Sequence, residues 1–160
     1  MLTSLCPGSA EEQAQNMQIR KCRRSDVEGI RSLVAAVVCE VYGWMLPAGF
    51  EADRDTDWEP GWVVDSAGDL VAVMLTAKDR LEDLWIEKGH RGRGLGERLL
   101  AIAEQEIAAR GFARARLRVV AENTAATEFY VRHGWREDHR YPHERHGFDM
   151  VDMSKELGPG

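Results

Sequence analysis

The sequence predicts one mixed α/β domain in which helices cover both faces of a single sheet. Along the chain, segments with the apolar pattern of strands alternate with segments whose apolar residues recur at helical spacing. Two valine-rich segments flank a short polar turn, which is typical of an antiparallel hairpin. The length of 160 residues is sufficient for one domain with its own core.

The first expected elements are a strand and a helix. The strand lies near Met17–Cys22, so the domain would cover residues 17–157, and residues 1–16 would form a flexible tail. A helix is expected to start at Ser25-Asp26, because Glu28 stands three residues after Ser25, where a capping box needs an acid. The apolar face of this helix consists of Ile30, Leu33, Val34, Val37 and Val38.

The middle of the chain supplies the hairpin and a further strand. Val41–Leu46 either continues the first helix or begins another. Gly61–Asp65 and Leu70–Thr76 are the two arms of the predicted hairpin. Leu81–Glu87 is the next strand candidate, and it runs directly into a glycine-rich loop.

The last part of the chain alternates helices and strands. A helix is expected from Leu95 to the neighbourhood of Gly111, a residue that tolerates the positive φ of a helix end. Ala115–Val119 alternates with arginines, as a strand with one covered face does. A shorter helix is expected after this strand, at about Thr124–His133. The final strand candidates are Arg140–Tyr141 and Phe148–Met153.

Composition limits the partners of this domain. The formal net charge of -6 argues against nucleic acid, since phosphates attract a basic surface, and it is compatible with a cationic substrate such as an amine. No apolar run approaches the ~20 residues of a membrane span, and no apolar core of a signal peptide is seen. Three widely spaced cysteines form neither a disulfide framework nor a metal motif, which favours a cytoplasmic location.

The loop Arg91–Gly96 is the strongest functional signal, because it lies between an expected strand and an expected helix. Its glycines stand at alternate positions: Gly92, Gly94 and Gly96. Glycine lets the backbone turn sharply and lets a phosphate approach closely. The first helical turn, from Leu95, would offer N–H groups without partners at the positive end of the helix dipole. Arg91 and Arg93 add positive charge, so the loop is a predicted anion site.

Two other phosphate-binding loops do not fit these residues. A P-loop needs lysine and serine or threonine after its second glycine, but Leu95 and Gly96 follow Gly94. The dinucleotide-binding fingerprint fails in both registers, because its last glycine would fall on Glu97 or Leu99.

A second motif narrows the interpretation of the loop. Arg91–Gly96 reads R-x-x-G-x-G and resembles the [QR]-x-x-G-x-[GA] signature of the GNAT superfamily of acyl-CoA N-acyltransferases. Asn123–Trp135 resembles the second signature of that family, N-x-x-A-x-x-F-Y followed by a glycine–aromatic pair. The resemblance covers about Met17–Lys155 and is weak before Gly61. It implies a mostly antiparallel, six- to seven-stranded sheet that splays between its fourth and fifth strands.

The resemblance also implies a role for each matching residue. The strand before the loop would pair its backbone with the pantetheine arm of acetyl-CoA at Leu84, Trp85 and Ile86. Asn123 would bond the pantetheine region, and Tyr130 would protonate the leaving thiolate. The pyrophosphate would be held by backbone amides of Arg91, Gly92, Arg93, Gly94, Leu95 and Gly96.

Direct attack of an amine on a thioester needs a base or a water chain that removes the amine proton. Glu82 is the candidate base, since strand alternation would place it on the same face as Leu84, and Asp83 would point the other way. A backbone N–H on the same strand could stabilise the oxyanion.

Two further clusters have competing or weak interpretations. Glu51–Glu59 is acidic and lies near Trp58 and Trp62, so it is either a solvated loop or a wall that binds an ammonium group. No metal is expected, because the spacing of the available histidines fits no common zinc motif; they are His139, His143 and His146.

These observations predict an N-acetyltransferase that moves the acetyl group of acetyl-CoA to a primary amine of a small molecule or peptide. Neither a membrane nor a nucleic acid is an expected partner, and the family resemblance allows a homodimer. A non-catalytic acyl-CoA-binding module and an interaction domain without a cofactor are the alternatives. The identity of the acceptor amine stays open.

Overall fold

Seven strands form one sheet in the computed structural model, which describes residues 16–47 and 55–158. Their order across the sheet is β1-β2-β3-β4-β5-β7-β6. Neighbouring strands are antiparallel except β4 and β5, which are parallel. The strands are β1 (Met17–Lys21), β2 (Trp62–Ser66), β3 (Asp69–Ala77), β4 (Arg80–Ile86), β5 (Arg114–Val120), β6 (Arg136–Pro142) and β7 (Asp149–Glu156).

Three α-helices lie within the described ranges: α1 (Val27–Tyr42), α2 (Leu95–Ala109) and α3 (Thr124–Arg132). A short 3-10 turn, Arg24–Asp26, precedes α1, and another, Lys88–His90, follows β4. Gly111 and Gly134 have φ values of 93° and 87° just beyond α2 and α3. The positive φ is the conformation that lets the chain leave a helix, so both glycines end their helices, as expected for Gly111.

The sheet separates two apolar cores. On one face, α2 and α3 pack over the central strands, and Leu99, Ile107 and Met153 are fully buried there. On the other face, α1 packs through residues such as Ile30 and Val34. Helices therefore cover both faces of the sheet, and the expected mixed α/β class with a mostly antiparallel sheet is confirmed.

The second face is covered over only part of its width. Apolar residues that pack with α1 come from β2, β3 and β4, for example Val63, Val73 and Trp85. Further along the same face, β5 projects three exposed arginines: Arg114, Arg116 and Arg118. The sheet thus keeps a polar, open face over β5, β7 and β6.

The start of α1 differs from the expected capping box at Ser25. The Asp26 carboxylate accepts a hydrogen bond from the Arg23 N–H at 2.7 Å and two more from the Arg20 guanidinium, at 2.7 and 2.9 Å. Arg20 lowers the pKa of Asp26, since it stabilises the charged carboxylate. An ion pair from β1 therefore makes Asp26, not Ser25, the polar residue that organises this helix start, and α1 begins at Val27.

Other expected boundaries hold or shift in understandable ways. The hairpin is present as β2 and β3, and the segment from residue 41 continues α1 only to Tyr42. β6 begins at Arg136, four residues before the expected strand. The sequence did not reveal this start, because β6 is an edge strand of mostly exposed polar residues and has no apolar period. The expected tail, residues 1–16, lies outside the described residues except for Asn16. None of the described helices combines the length and apolarity that a membrane crossing requires.

Candidate functional site

β4 and β5 meet at one end and separate at the other. They pair at Arg80 and Arg116, and the Arg116 N–H donates to the Asp79 carbonyl at 2.9 Å. Among the described residues no later position of β4 pairs with β5, although β5 stays paired with β7 along its whole length. The gap therefore opens towards the carboxyl ends of the two strands, near Ile86 and Val120. The expected splay between the fourth and fifth strands is confirmed.

The loop after β4 turns at two glycines with positive φ. Gly92 and Gly94 have φ values of 75° and 78°, and a Cβ added to either would have no neighbour within 4 Å. Backbone conformation, not crowding, thus favours glycine at both positions. The Arg98 N–H donates to the Gly94 carbonyl at 3.1 Å, which begins α2. The N–H groups of the first turn of α2 face the loop, as an anion site requires.

Gly96 is needed for a different reason. A Cβ there would lie 3.2 Å from Cζ of Phe129 and 3.3 Å from Cδ1 of Ile86. Both distances are tighter than ordinary van der Waals contact. The glycine therefore lets the first turn of α2 approach α3 and the end of β4 closely, so the three glycines of the motif have two distinct structural roles.

Arg91 ties the loop to two other elements. Its Nε donates to the Ile86 carbonyl at 3.0 Å, and its guanidinium forms an ion pair with Glu40 at 2.8 Å. Glu40 lies in the last turn of α1, and Arg91 lowers the pKa of its carboxyl group. Both side chains of the pair remain more than a third exposed, so solvent and salt screen their attraction.

Asn123 uses both ends of its side-chain amide. Its Oδ1 accepts from the Ala126 N–H at 3.1 Å and caps α3, while its Nδ2 donates to the Tyr42 hydroxyl at 2.8 Å. Tyr42 is the last residue of α1, and its ring meets Trp85 edge to face, with centroids 6.3 Å apart. Asn123 and Tyr42 therefore connect the end of β5 with α1 and β4 across the mouth of the gap.

Tyr130 is buried beside these residues. Its ring packs against Phe129 and Trp135, with centroids 5.3 and 5.9 Å away. Burial raises the pKa of Tyr130, and the nearby Tyr42 hydroxyl raises it further. The phenol consequently stays protonated throughout the neutral pH range.

Glu82 lies at an irregularity of β4. Leu75 pairs with Asp83 and Thr76 with Leu81, so Glu82 is an extra residue in the strand, a β-bulge. Strand alternation does not hold across this position, because Leu81 and Leu84 belong to the same core, so alternation no longer supports placing Glu82 on the face of Leu84. Glu82 is exposed. Asp83 does face away from Leu84, and its Oδ1 accepts a hydrogen bond from Trp85 Nε1 at 2.9 Å.

The interpretation of the acidic stretch as a tryptophan-lined substrate wall is wrong for its aromatic part. Trp58 is 3% exposed and belongs to the core under α1. The ring of Trp62 is covered by Lys21, whose Nζ lies 4.6 Å from its centroid, and its Nε1 donates to Glu106 at 2.8 Å. Residues 51–54 lie outside the described residues.

Two residues near the loop and the gap were not anticipated from the sequence. Tyr42 continues the helical spacing of Val34 and Val38, so its position on the inner face of α1 could have been inferred. Glu40 belongs to the exposed face of the same helix and carries no local signal. Only the packing of α1 against the strand end brings it to Arg91.

A glycine-rich loop at the open end of two splayed parallel strands is the architecture of acyl-CoA-dependent acetyltransferases. A family model described as "Acetyltransferase (GNAT) domain" matches residues 48–157, and the chain belongs to this family. The match covers both motifs as well as all strands from β2 onwards.

Solved structures share the fold at low sequence identity. PaiA N-acetyltransferase from Thermoplasma acidophilum, solved with coenzyme A, is 17% identical over 88% of this chain and 98% of its own, with a TM-score of 0.70. YncA, a putative acetyltransferase from Salmonella typhimurium solved with acetyl-CoA, is 18% identical over 89% and 94%, with a TM-score of 0.68. A putative N-acetyltransferase from Lactobacillus plantarum is 26% identical over 88% and 98%, with a TM-score of 0.67. No curated protein matches the chain.

Proposed function

We propose that the protein transfers the acetyl group of acetyl-CoA directly to a primary amine. Membership of the GNAT family supports an acyltransferase, and two of the structural neighbours were solved with coenzyme A or acetyl-CoA. The observation that carries the proposal is the gap between β4 and β5, with the glycine loop at its open end and a buried tyrosine beside it.

The cofactor would use backbone groups for most of its contacts. The pyrophosphate binds the N–H groups of Arg91–Gly96, where the start of α2 favours negative charge. The pantetheine arm extends the sheet along the edge of β4 that faces β5, at Leu84–Ile86. Among the described residues these positions pair with β3 on their other edge and with no strand on this one. Asn123 then exchanges its bond to Tyr42 for one to the pantetheine amide.

Tyr130 would donate a hydrogen bond to the leaving thiolate. Its raised pKa lies above the value of about 8.5 for a thiol, so complete proton transfer to sulfur is uphill by itself. The phenol therefore contributes most as a donor whose hydrogen bond strengthens while charge develops on sulfur. The proton that the amine loses ends on the sulfur, so the products are the acetylated amine and free CoA thiol.

Glu82 would accept the proton of the attacking amine, directly or through water. The bulge turns it away from regular strand packing and leaves it exposed. A β4 N–H group along the same free edge would bond the thioester oxygen as it becomes an oxyanion. The nucleophile is the neutral amine, so the rate of transfer should rise with pH until the amine is deprotonated.

Two measurements on the full chain test the proposal. Isothermal titration with acetyl-CoA and with CoA should give saturable binding, and release of free CoA thiol should require an added primary amine. No binding of either cofactor would contradict the proposal. Binding without thiol release across a broad amine panel would favour the non-catalytic acyl-CoA-binding module instead.

A further inference from the structure

The sheet face that α1 leaves open carries rows of charged side chains. Opposite residues of antiparallel strands project to the same face. The register places Arg136, Ser154 and Arg116 in one row across β6, β7 and β5. Arg80 of β4 pairs with Arg116 and extends this row. The next row consists of His139, Asp152 and Arg118.

A cavity of about 400 Å³ opens on this face. One group of its lining residues is cationic and comes from β4 and β5: Arg80, Arg114 and Arg116. The other polar lining residues come from β6 and β7: Asp138, His139 and Asp152. The cavity therefore has arginine side chains on the side of the β4–β5 gap and acidic side chains on the side of β6 and β7.

The arginines of the cavity differ in their partners. Arg116 forms an ion pair with Asp79 at 3.3 Å, and Nε of Arg114 donates to Glu156 at 2.7 Å. Arg80, in contrast, has no carboxylate partner within the part of the chain that the structure describes. An arginine presents a planar fork of donors that fits a carboxylate in a bidentate way. Arg80 thus offers an uncompensated carboxylate-binding group on the cavity wall.

The position of Arg80 relates the cavity to the reaction centre. Arg80 and Arg116 stand at the closed end of the gap, where β4 and β5 meet. Glu82 lies two residues further along β4, at the bulge, and so at most roughly 7 Å away, the rise of two residues in a fully extended strand. An acceptor whose amine lies near Glu82 would therefore reach Arg80 with its other end.

We propose that the acceptor carries a carboxylate as well as its primary amine. Arg80, with Arg116 beside it, binds the carboxylate, and the amine is directed towards Glu82 and the thioester. This inference rests on the proposed acetyl transfer and names the substrate class of that same site. Binding energy at the remote carboxylate orients the amine for attack.

The test compares ω-amino acids of increasing chain length with alkylamines of the same length, using thiol release as the readout. In the longer members the carboxylate hardly alters the amine pKa, so nucleophilicity is matched. At the best length, kcat/KM for the amino acid should exceed that for the alkylamine by about tenfold or more, the worth of a hydrogen bond between charged groups. Equal rates, or a preference for alkylamines, would overturn the inference.

Two variants of Arg80 link this preference to the cavity. Arg80→Gln should reduce the amino-acid preference about tenfold, mainly through KM, and Arg80→Glu should reverse it in favour of alkylamines. Arg132→Gln is the matched control, because Arg132 is exposed on α3, on the opposite face of the sheet. A preference that survives Arg80→Gln unchanged would assign the carboxylate to another site and overturn the inference.

A direct binding measurement distinguishes failure of the proposed acetyl transfer from failure of the carboxylate site. If no amine releases CoA, titration of the full chain with the same ω-amino acids still measures the cavity directly. Saturable binding that Arg80→Gln weakens and Arg132→Gln leaves intact would support the carboxylate site. Absence of such binding would overturn it.

Discussion

The two ends of the β4–β5 pair present different kinds of groups to a charged ligand. At the carboxyl end, the loop Arg91–Gly96 presents backbone N–H groups at the start of a helix. At the amino end, the cavity presents guanidinium groups of Arg80, Arg114 and Arg116. A backbone site depends on glycines that are close in sequence, whereas a side-chain site can be assembled from distant strands. The first kind is visible as a motif, and the second is visible only in the fold.

The same comparison shows why net charge alone does not identify a substrate. The chain carries a formal charge of -6, which was compatible with a cationic substrate. The open face nevertheless concentrates arginines around the end of the gap. Local charge, not the total, determines which group a site attracts, because screening limits attraction to about 10 Å at ordinary ionic strength.

The largest expected effect comes from Gly94→Glu, which would disrupt the glycine loop at the carboxyl end of the β4–β5 pair. A glutamate there places a negative charge at the anion site and strains a φ of 78°. We expect CoA binding to fall below detection by isothermal titration. Gly111→Glu is the matched control, since Gly111 also has a positive φ and open space around its Cα but lies at the far end of α2. Retained CoA binding in folded Gly94→Glu protein would contradict the assigned pyrophosphate site.

Tyr130→Phe should separate chemistry from cofactor binding. The variant keeps the buried ring and removes the hydroxyl, so kcat should fall about a hundredfold while CoA affinity changes little. Steady-state thiol release and CoA titration measure the two quantities. An unchanged kcat would remove Tyr130 from the reaction.

Tyr42→Phe should have opposite effects on stability and cofactor binding. Loss of the hydroxyl leaves Asn123 Nδ2 without its partner, which should reduce the free energy of unfolding by about 1 kcal/mol in urea titrations. The freed amide should bind CoA about two- to tenfold more tightly, because no internal bond must be exchanged. Tyr141→Phe is the control, since it loses a comparable bond, to Asp152, away from the cofactor gap. Weaker CoA binding in Tyr42→Phe would show that Tyr42 itself helps to hold the cofactor.

Glu40→Gln should have the smallest effect on CoA binding at the glycine loop. It releases Arg91 from an ion pair and removes a negative charge near the expected diphosphate. CoA affinity should rise about two- to fivefold at low salt, and the gain should shrink as salt is added. Glu28→Gln removes another exposed α1 ion pair, with Arg31, and should leave CoA affinity unchanged. A loss of affinity in Glu40→Gln would mean that Glu40 orients Arg91 for the cofactor.

Most of the fold could be predicted because its signals are local. Apolar spacing predicted the buried face of α1, the hairpin of β2 and β3, and the long helix after the loop. Boundaries failed where a tertiary contact or exposure replaced the local signal. Asp26 displaced Ser25 through its bond to Arg20, and the polar edge strand β6 gave no apolar period.

By itself, the sequence determined the fold class and the anion loop with its companion segment around Tyr130. Both depend on residues that stand close together along the chain. Only the tertiary structure decided that Glu82 lies on a bulge, that Tyr42 and Glu40 reach the mouth of the gap, and that Arg80 lines a cavity. These facts depend on strand register and on the packing of α1, which join residues far apart in the chain, and no local pattern records such distances.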